Sequence, residues 1–541
     1  MVCRRALTIP LCVVLLAQMG CGFVAATRAQ PISVSLWQEE ADARIKTVRT
    51  GDLVIEVRDE DGKPVTGATV SLRQLSHDFW FGTALASGAA TIAPRYKETV
   101  RSLFNAAVHE NALKWYSTER TQGLVNYRDA DDWVKWCEEN GLRVRGHCIF
   151  WENPERNLQW VRDLDRDSLR RAVERRAREV TTRYRGRITE YDVNNEMIQH
   201  DFFQSRLGAY IVDDMFRWAK EGDPNATLYL NEYLGTSASL LPRYEKMIKS
   251  LLERRVLVGG IGVQAHFGEG ADRTRPPTMD EWNGVLNRLS VFGLPIKITE
   301  YSYDTANEER KASFLSDFYR LCFSHPAVEG ILMWGFWEGA IWRPGAAILN
   351  RDFSPRPAAE AYRKLVYDEW WTKAAGRTDV AGKFNTRAFF GRYTVTATTP
   401  DGRAANETFP FPKKTQQPMR VTVTVKPPQS YYAARDSLAR ARELKTQAAS
   451  SNFTSQDART LAEQASENLE SAEKAFSERR SEAALALAQQ AVTLFEKALA
   501  LEHQEKSRQS IYVLSSGAAL FVIAASAALV LYRKRKPQQT S

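Results

Sequence analysis

The sequence predicts an α/β chain: a (β/α)8 TIM barrel accompanied by a small β-sandwich, a helical stalk and a single C-terminal transmembrane helix. Three observations carry that expectation. Between residues 79 and 337, short apolar runs alternate with amphipathic helical stretches eight times, the number that closes a parallel barrel. Polar and aromatic residues gather at the C-terminal ends of those runs, where such barrels keep their chemistry. Near the other end of the chain, Ile511 to Tyr532 is apolar, long enough to cross a bilayer, and followed at once by Arg533-Lys534-Arg535-Lys536.

Residues 1–29 begin with Arg4 and Arg5, continue through an apolar stretch from Leu7 to Leu16 and end on small residues at Ala25, Ala26 and Ala29. That is the pattern of a secretory signal peptide, and it implies export. Cys21, after Gln18-Met19-Gly20, has a poor setting for lipid attachment. Within β segments assigned to residues 30–78 and 371–428, Leu53 to Leu72 and Phe384 to Val425 alternate around the turns Asp59-Glu60-Asp61-Gly62-Lys63-Pro64 and Thr399-Pro400-Asp401-Gly402, and each segment is short for a core of its own. The start Gly62-Lys63-Pro64-Val65-Thr66-Gly67-Ala68, with Thr378-Asp379-Val380-Ala381-Gly382-Lys383-Phe384 and Gly391-Arg392-Tyr393, resembles the two halves of a carboxypeptidase-regulatory-like β-sandwich. The resemblance implies one sandwich split around an inserted barrel, serving as a brace or as a carbohydrate-binding surface.

The barrel is assigned to residues 79–370. Its expected strands are Phe79 to Ala84, Phe104 to His109, Arg143 to Phe150, Ile188 to Asn194, Thr227 to Leu230, Gly260 to Gln264, Pro295 to Thr299 and Gly330 to Trp334, with helices such as Asp165 to Arg183 and Asp280 to Phe292 between them. Residues 429–508 contain a stretch, 431 to 506, without Pro or Gly, in which Leu461, Ala465, Leu469, Ala472 and Phe476, then Leu485, Ala488, Val492, Phe495 and Leu499, step by three and four. A helical hairpin or short coiled coil is expected, as a monomer or a weak dimer through this stalk. Residues 511–532 form the expected span, and the basic tail 533–541 is assigned to the cytoplasm, leaving the barrel outside it, in the periplasm or at the cell surface.

Two strands lead into glutamates: Tyr191-Asp192-Val193-Asn194-Asn195-Glu196 and Ile296-Lys297-Ile298-Thr299-Glu300. Two carboxyls are the minimum set for cleaving a glycosidic bond, one holding a proton for the departing oxygen and the other, ionised, facing the oxocarbenium-like carbon. Other polar and aromatic residues share their register: Glu110, Asn111 and Lys114 after the second strand, His147 and Trp151 with the third, Asn195 on the fourth, and Asn231, with Tyr233 after it, on the fifth. Gln264 and His266 follow on the sixth, and Trp334 ends the eighth, with Trp337 and Trp342 in the next loop.

These residues resemble glycoside hydrolase family 10, the retaining endo-β-1,4-xylanases, over roughly residues 79–368. The pieces are Glu110-Asn111-Ala112-Leu113-Lys114-Trp115, Val144-Arg145-Gly146-His147 with Trp151, Asp192-Val193-Asn194-Asn195-Glu196, Asn231-Glu232-Tyr233, Gly262-Val263-Gln264-Ala265-His266, Ile298-Thr299-Glu300 and Trp334-Gly335. The resemblance implies that Glu196 is the acid/base and Glu300 the nucleophile. It also implies that Glu110, Asn111, Lys114, His147, Trp151, Gln264, Trp334 and Trp342 line the sugar subsites. A retaining site holds its two carboxyls roughly 5 to 5.5 Å apart, and Asn195 is suited to bond the sugar 2-hydroxyl. Asn231 and Tyr233 are supporting residues, and His266 either orients Glu300 or is a buried histidine satisfied by a backbone carbonyl. Trp334 and Trp342 are expected to stack on sugar rings, Trp133 and Trp136 to pack in the core.

Three positions depart from the family pattern. Ser302 stands where the family has an aspartate that supports the histidine, so His266 is expected to lose that support unless Asp304 reaches back. Glu152 stands in place of a histidine, and Asn194 in place of an apolar residue. The nearest alternatives are a hydrolase of another β-linked polysaccharide and a catalytically weak glycan-binding surface protein.

Of six cysteines, Cys3, Cys12 and Cys21 lie in the leader, and Cys137, Cys148 and Cys322 have neither disulfide nor zinc spacing, so no metal is expected. The absence of a Gly-rich phosphate loop points to no cofactor. The net charge of +9 is spread over basic termini and Arg-rich helices such as Arg170 to Arg178, read as solvated faces, with no nucleic-acid partner expected.

Overall fold

The structure, a computed structural model, describes residues 36–88, 91–92, 94–234, 240–269 and 274–533. The expected signal peptide and the tail beyond Arg533 lie outside the described residues. The segment expected to be β from residue 30 begins instead with a helix, Leu36–Val48. It buries Ala41 and Ile45 and lies along the barrel helix Glu308–Ser324, where Gln38 donates to Asp317 (2.8 Å) and Arg44 to Ser324 (3.3 Å).

The strands follow as β1 (Thr50–Asp59), β2 (Thr69–His77), β3 (Trp80–Leu85), β4 (Ala106–His109), β5 (Arg143–Gly146), β6 (Phe150–Trp151), β7 (Glu190–Asn195), β8 (Thr227–Tyr233), β9 (Gly260–Gly268), β10 (Ile296–Asp304) and β11 (Val328–Met333). Eight of them, β3, β4, β5 and β7 to β11, pair in parallel, and the β11–β3 and β5–β7 pairings close the TIM barrel. The helices cover it by periodic burial. In Arg166–Arg183, Leu169, Val173, Ala177 and Val180 face the strands, and the Asp165 carboxylate caps the first turn by accepting from the Asp167 and Ser168 amides. The arginines on its outer face meet carboxylates, Arg170 with Asp214, Arg175 with Glu119 and Arg178 with Glu221, so the basic run is matched locally.

Several strand boundaries differ from expectation. The third expected strand is interrupted: β5 pairs with the start of β7 at Glu190 and Tyr191, and the short β6 pairs with its end at Asn194 and Asn195. Strands β9 and β10 stay paired through Gly268 and Asp304, well past the polar residues taken as their ends. Those polar side chains point into the barrel mouth from within the ladder, which fixes them more tightly than a loop does.

Beyond the barrel lie β12 (Lys373–Arg377), β13 (Lys383–Phe389), β14 (Gly391–Thr398), β15 (Ala404–Phe411) and β16 (Met419–Val425). They pair with strands from before the barrel: β1 lies between β13 and β16, and β2 between β12 and β14. Leu53, Ile55, Val57, Val70 and Leu72 from the first segment share one buried cluster with Tyr393, Val395, Phe411 and Val423 from the second. The two segments bury their apolar faces against each other, and Phe389 on β13 packs in addition against the barrel core.

Arg49 ties these sheets to the barrel floor. Its guanidinium donates to the carbonyls of Phe323 (2.6 Å), His325 (2.7 Å) and Val328 (2.7 Å), between the rings of Phe79 and Phe323. Its own carbonyl accepts from the Phe390 amide. Burial pulls its pKa down to about 10 against the opposing pull of Glu329 and Asp78, so it is charged at neutral pH.

The stalk corrects the expected hairpin. Three helices, Gln429–Ser450, Gln456–Ser477 and Ser481–Arg533, share a core that includes Leu438, Leu444, Leu469 and Phe495. The first helix contributes a stripe of Leu438, Ala441, Leu444 and Ala448, whose small residues weaken its apolar signal in the sequence. The third helix runs on unbroken past Ile511, and its last part, with exposed Leu514, Phe521, Ile523 and Leu529, is long and apolar enough to cross a membrane by length and composition.

Replacing Arg49 by Met removes its donors from three buried carbonyls, of which that of His325 keeps the Val328 amide (3.2 Å), at a cost of about 2 kcal/mol or more. Calorimetry is expected to show a lower Tm for the barrel transition, with Arg49→Lys recovering only part because an ammonium lacks the planar fork.

Candidate active site

The ladder shifts register between Asp192 and Asn194 on β7 and between Ile298 and Glu300 on β10. Each of the two glutamates therefore follows a bulge, a device that re-aims a side chain. Glu196 also adopts a left-handed backbone, φ 61°, at a cost of about 1 to 3 kcal/mol. Its amide donates to the Asn231 carbonyl (2.9 Å), and its carbonyl accepts from the His200 amide (3.1 Å).

A chain of hydrogen bonds joins the two carboxyls across the mouth. The Asn231 amide donates to Glu300 Oε1 (2.9 Å) and to Asn195 Oδ1 (2.8 Å), while its own oxygen accepts from Thr299 (2.6 Å). Asn231 crosses directly over Gly262, where a Cβ would come within 2.6 Å of its side-chain oxygen. Gln264 Nε2 donates to Asn195 Oδ1 (3.2 Å) and to Glu196 Oε1 (3.3 Å), and the Trp151 indole donates to Glu196 Oε2 (2.7 Å). With Asn195 Oδ1 taken twice, the amide NH2 of Asn195 is directed away from this chain.

Glu300 Oε2 lies 3.1 Å from His266 Nε2, and His266 Nδ1 lies 2.8 Å from Ser302 Oγ. The expected loss of support is thus corrected: the Ser302 hydroxyl occupies that place itself. A carboxylate accepts only, so Nε2 carries the proton, and Nδ1 of a neutral ring accepts from the serine. His147 Nδ1 stands 2.9 Å from Asp192 and 3.9 Å from Glu300. Burial by itself pushes the Glu300 carboxyl up, but His147, His266 and Lys114 together outweigh it and hold its pKa below the ordinary carboxylate value.

Aromatic walls surround this pair. Lys114 Nζ sits 4.6 Å from the Trp151 ring centre and 5.9 Å from that of Trp334, and donates to Asn111 (3.1 Å). Trp334 is buried edge-on to His147, whereas Trp342 is 48 % exposed, edge-on to His266. Glu110 is half-buried nearby, its pKa raised by burial against the pull of Lys114 and Asn111. The Tyr233 hydroxyl reaches the His266 carbonyl at 3.5 Å. Trp133 packs fully buried in the core, against a partly buried Trp136.

The Glycosyl hydrolase family 10 pattern matches residues 71–365, more than half of the chain. The chain belongs to glycosyl hydrolase family 10. It is 41 % identical over 365 residues to the anti-sigma-I factor RsgI6 of Acetivibrio thermocellus, which covers 67 % of this chain and 47 % of that protein. To endo-1,4-beta-xylanase 1 of Arabidopsis thaliana it is 35 % identical over 371 residues, 68 % of this chain and 38 % of the relative. The chain thus spans less than half the length of these two relatives. Xylanase 10B from Thermotoga petrophila RKU-1, solved in complex with xylobiose, superposes with a TM-score of 0.50 at 26 % identity, covering 54 % of this chain and 95 % of that one.

Within this family 10 barrel, several site residues escaped the sequence reading. Lys297, Glu190, Arg145 and Asp192 form a buried column of alternating charge that ends on His147. Burial alone would lower the Arg145 pKa, but Asp192 and Glu190 raise it above its ordinary value, and burial pulls Lys297 down to about 8. Charged residues of both signs inside expected barrel strands were the available signal. Glu152 and Asn194, read as separate departures, touch: Asn194 Nδ2 donates to Glu152 Oε1 (2.9 Å). Burial pushes the Glu152 carboxyl up to about 7 and that of Glu232 to about 8.

A folded-state pKa above that of the unfolded chain means the native protein binds the Glu232 proton more tightly. Its stability is therefore favoured at low pH and declines as pH rises from the unfolded carboxyl value through about 8. Glu232→Gln is expected to flatten part of the fall in Tm between about pH 5 and pH 9 in scanning calorimetry.

Proposed function

We propose that this protein is a retaining, endo-acting glycoside hydrolase that cleaves β-1,4-xylosidic bonds of xylan by double displacement. The observation that carries the reading is the pair of barrel-mouth carboxyls linked through Gln264, Asn195 and Asn231, with Glu300 held below the ordinary carboxylate pKa. Glu300 attacks the anomeric carbon while Glu196 gives its proton to the departing sugar oxygen. Glu196 then removes a proton from the water that cleaves the glycosyl-enzyme ester. The outward NH2 of Asn195 suits the sugar 2-hydroxyl, a contact that tightens in the transition state. His266 directs its Nε2–H at Glu300, with Ser302 fixing the ring. Trp151, Trp334 and Trp342, with Glu110, Asn111, Lys114, His147 and Gln264, offer the apolar faces and polar groups that line the sugar subsites, and Asn231 and Tyr233 support them. The names of the Arabidopsis and Thermotoga relatives favour xylan over other β-glycans.

A second reading, a glycan-binding surface protein, is favoured by the 41 % identity to a protein named an anti-sigma factor. The two retained glutamates argue for the enzyme. In either case we assign the apolar part of the last helix to a single membrane span, with the barrel outside the cytoplasm and the basic residues after it inside. The two sheets shared by residues 50–77 and 373–425 serve as a carboxypeptidase-regulatory-like brace rather than a sugar-binding surface, with Arg49 as its joint.

Full-length protein in detergent is expected to release reducing ends from xylan, and Glu300→Ala to lose that activity by at least about 1,000-fold while folding normally. Xylan binding without hydrolysis by folded wild type would move the assignment to the second reading; neither binding nor hydrolysis would move it to another β-glycan. Alkaline extraction is expected to leave the full chain in the membrane and to release a chain ending at residue 508.

A further inference from the structure

The segment after Glu196 is fastened from both sides by buried carboxyl groups. The Phe203 amide donates to Glu152 Oε2 (2.7 Å) and the Phe202 amide to the Glu152 carbonyl (3.2 Å). On the other side the Ile198 amide donates to Glu232 Oε1 (2.8 Å). Glu152 is also bound to the strand before Glu196: its amide donates to the Asn195 carbonyl (3.1 Å), and its side chain accepts from Asn194. Glu152, Asn194 and Glu232 are all fully buried, and their side-chain hydrogen bonds join Glu152 to Asn194 and the Phe203 amide, Asn194 to Met215 and Glu232 to the Ile198 amide, rather than any of them to Glu196 or Glu300.

Resting on the proposed hydrolase reading, we infer that Glu152 and Asn194 form a positioning pair for the proton donor Glu196. They span the left-handed turn at Glu196, one bond holding the strand that enters it and the other the segment that leaves it. Trp151, next in sequence to Glu152, holds the Glu196 carboxyl directly. A shift at Glu152 therefore moves both the backbone of Glu196 and the indole that aims its side chain. The groups facing Glu152 are Asn194, the Phe203 amide and Gln204, none of them charged. Asn194 Oδ1 is buried without a hydrogen-bond partner. Its amide can turn over and still meet a donor placed at residue 152, so a glutamine there keeps the link and a methionine breaks it.

This role has a signature that general destabilisation lacks. A proton donor matters for a poor leaving group and hardly at all for one that departs as a stable anion. The test compares kcat/KM of the full-length protein on 4-methylphenyl and 2,4-dinitrophenyl β-xylobiosides. For Glu152→Met, the expected result is a loss of about 10-fold or more on the methylphenyl substrate and less than about twofold on the dinitrophenyl one. Glu152→Gln is expected to stay within about threefold of wild type on both. Asn194→Leu, which leaves Glu152 in place, repeats the Glu152→Met pattern and serves where Glu152→Met fails to fold. Equal losses on both substrates, or no loss on either, overturn the inference while leaving the hydrolase reading intact. A folded wild type inactive on both substrates removes the reading itself, and the inference with it.

Discussion

A carboxylate held below its ordinary pKa while shut away from water is the constraint around which this barrel is arranged. Glu300 is buried on a barrel strand, and burial opposes its charge. Its surroundings answer with a donor on each oxygen, Asn231 on one and His266 on the other, and with the cationic Lys114 nearby. The glycine at 262, the threonine at 299 and the serine at 302 make sense as parts of that arrangement: one leaves room for Asn231, one holds its oxygen, one orients the imidazole.

Deeper in the barrel the same requirement is met by alternation of sign. Lys297, Glu190, Arg145 and Asp192 are each too costly to bury alone, and each is flanked by the opposite charge. The column rises from the barrel interior to His147, which stands beside Glu300. An apolar filling of the same space would pack as well, but it would leave His147 without a carboxylate to fix its ring. The barrel interior and the mouth are thus joined in one line of alternating charge.

Much of this was legible in the sequence because its signals are local. The eight strands showed as apolar runs, and the polar residues of the mouth stood out against them. What escaped depends on pairing between distant segments. Arg145 meets Glu190 and Asp192 only once β5 and β7 are neighbours, and Lys297 adds a third strand. Ser302 was read as a missing carboxylate, since a sequence does not reveal that a hydroxyl at that place still reaches Nδ1. Glu152 and Asn194 looked like two losses because their partnership crosses from β7 to the residue after β6. The first stalk helix was not separated from its neighbours because an alanine stripe carries little hydrophobic contrast.

The unbroken last helix has a mechanical consequence. From Ser481 to Ile511 it rises about 45 Å at 1.5 Å per residue, with two other helices packed along its length. A flexible tether would let the barrel wander through a wide volume and fold back toward the proposed membrane span. A braced rod instead acts as a mast: it sets a standing height and limits the directions in which the groove can face. Whatever the barrel mouth meets must then come within that fixed reach, because the barrel at the far end of the rod cannot travel to find it.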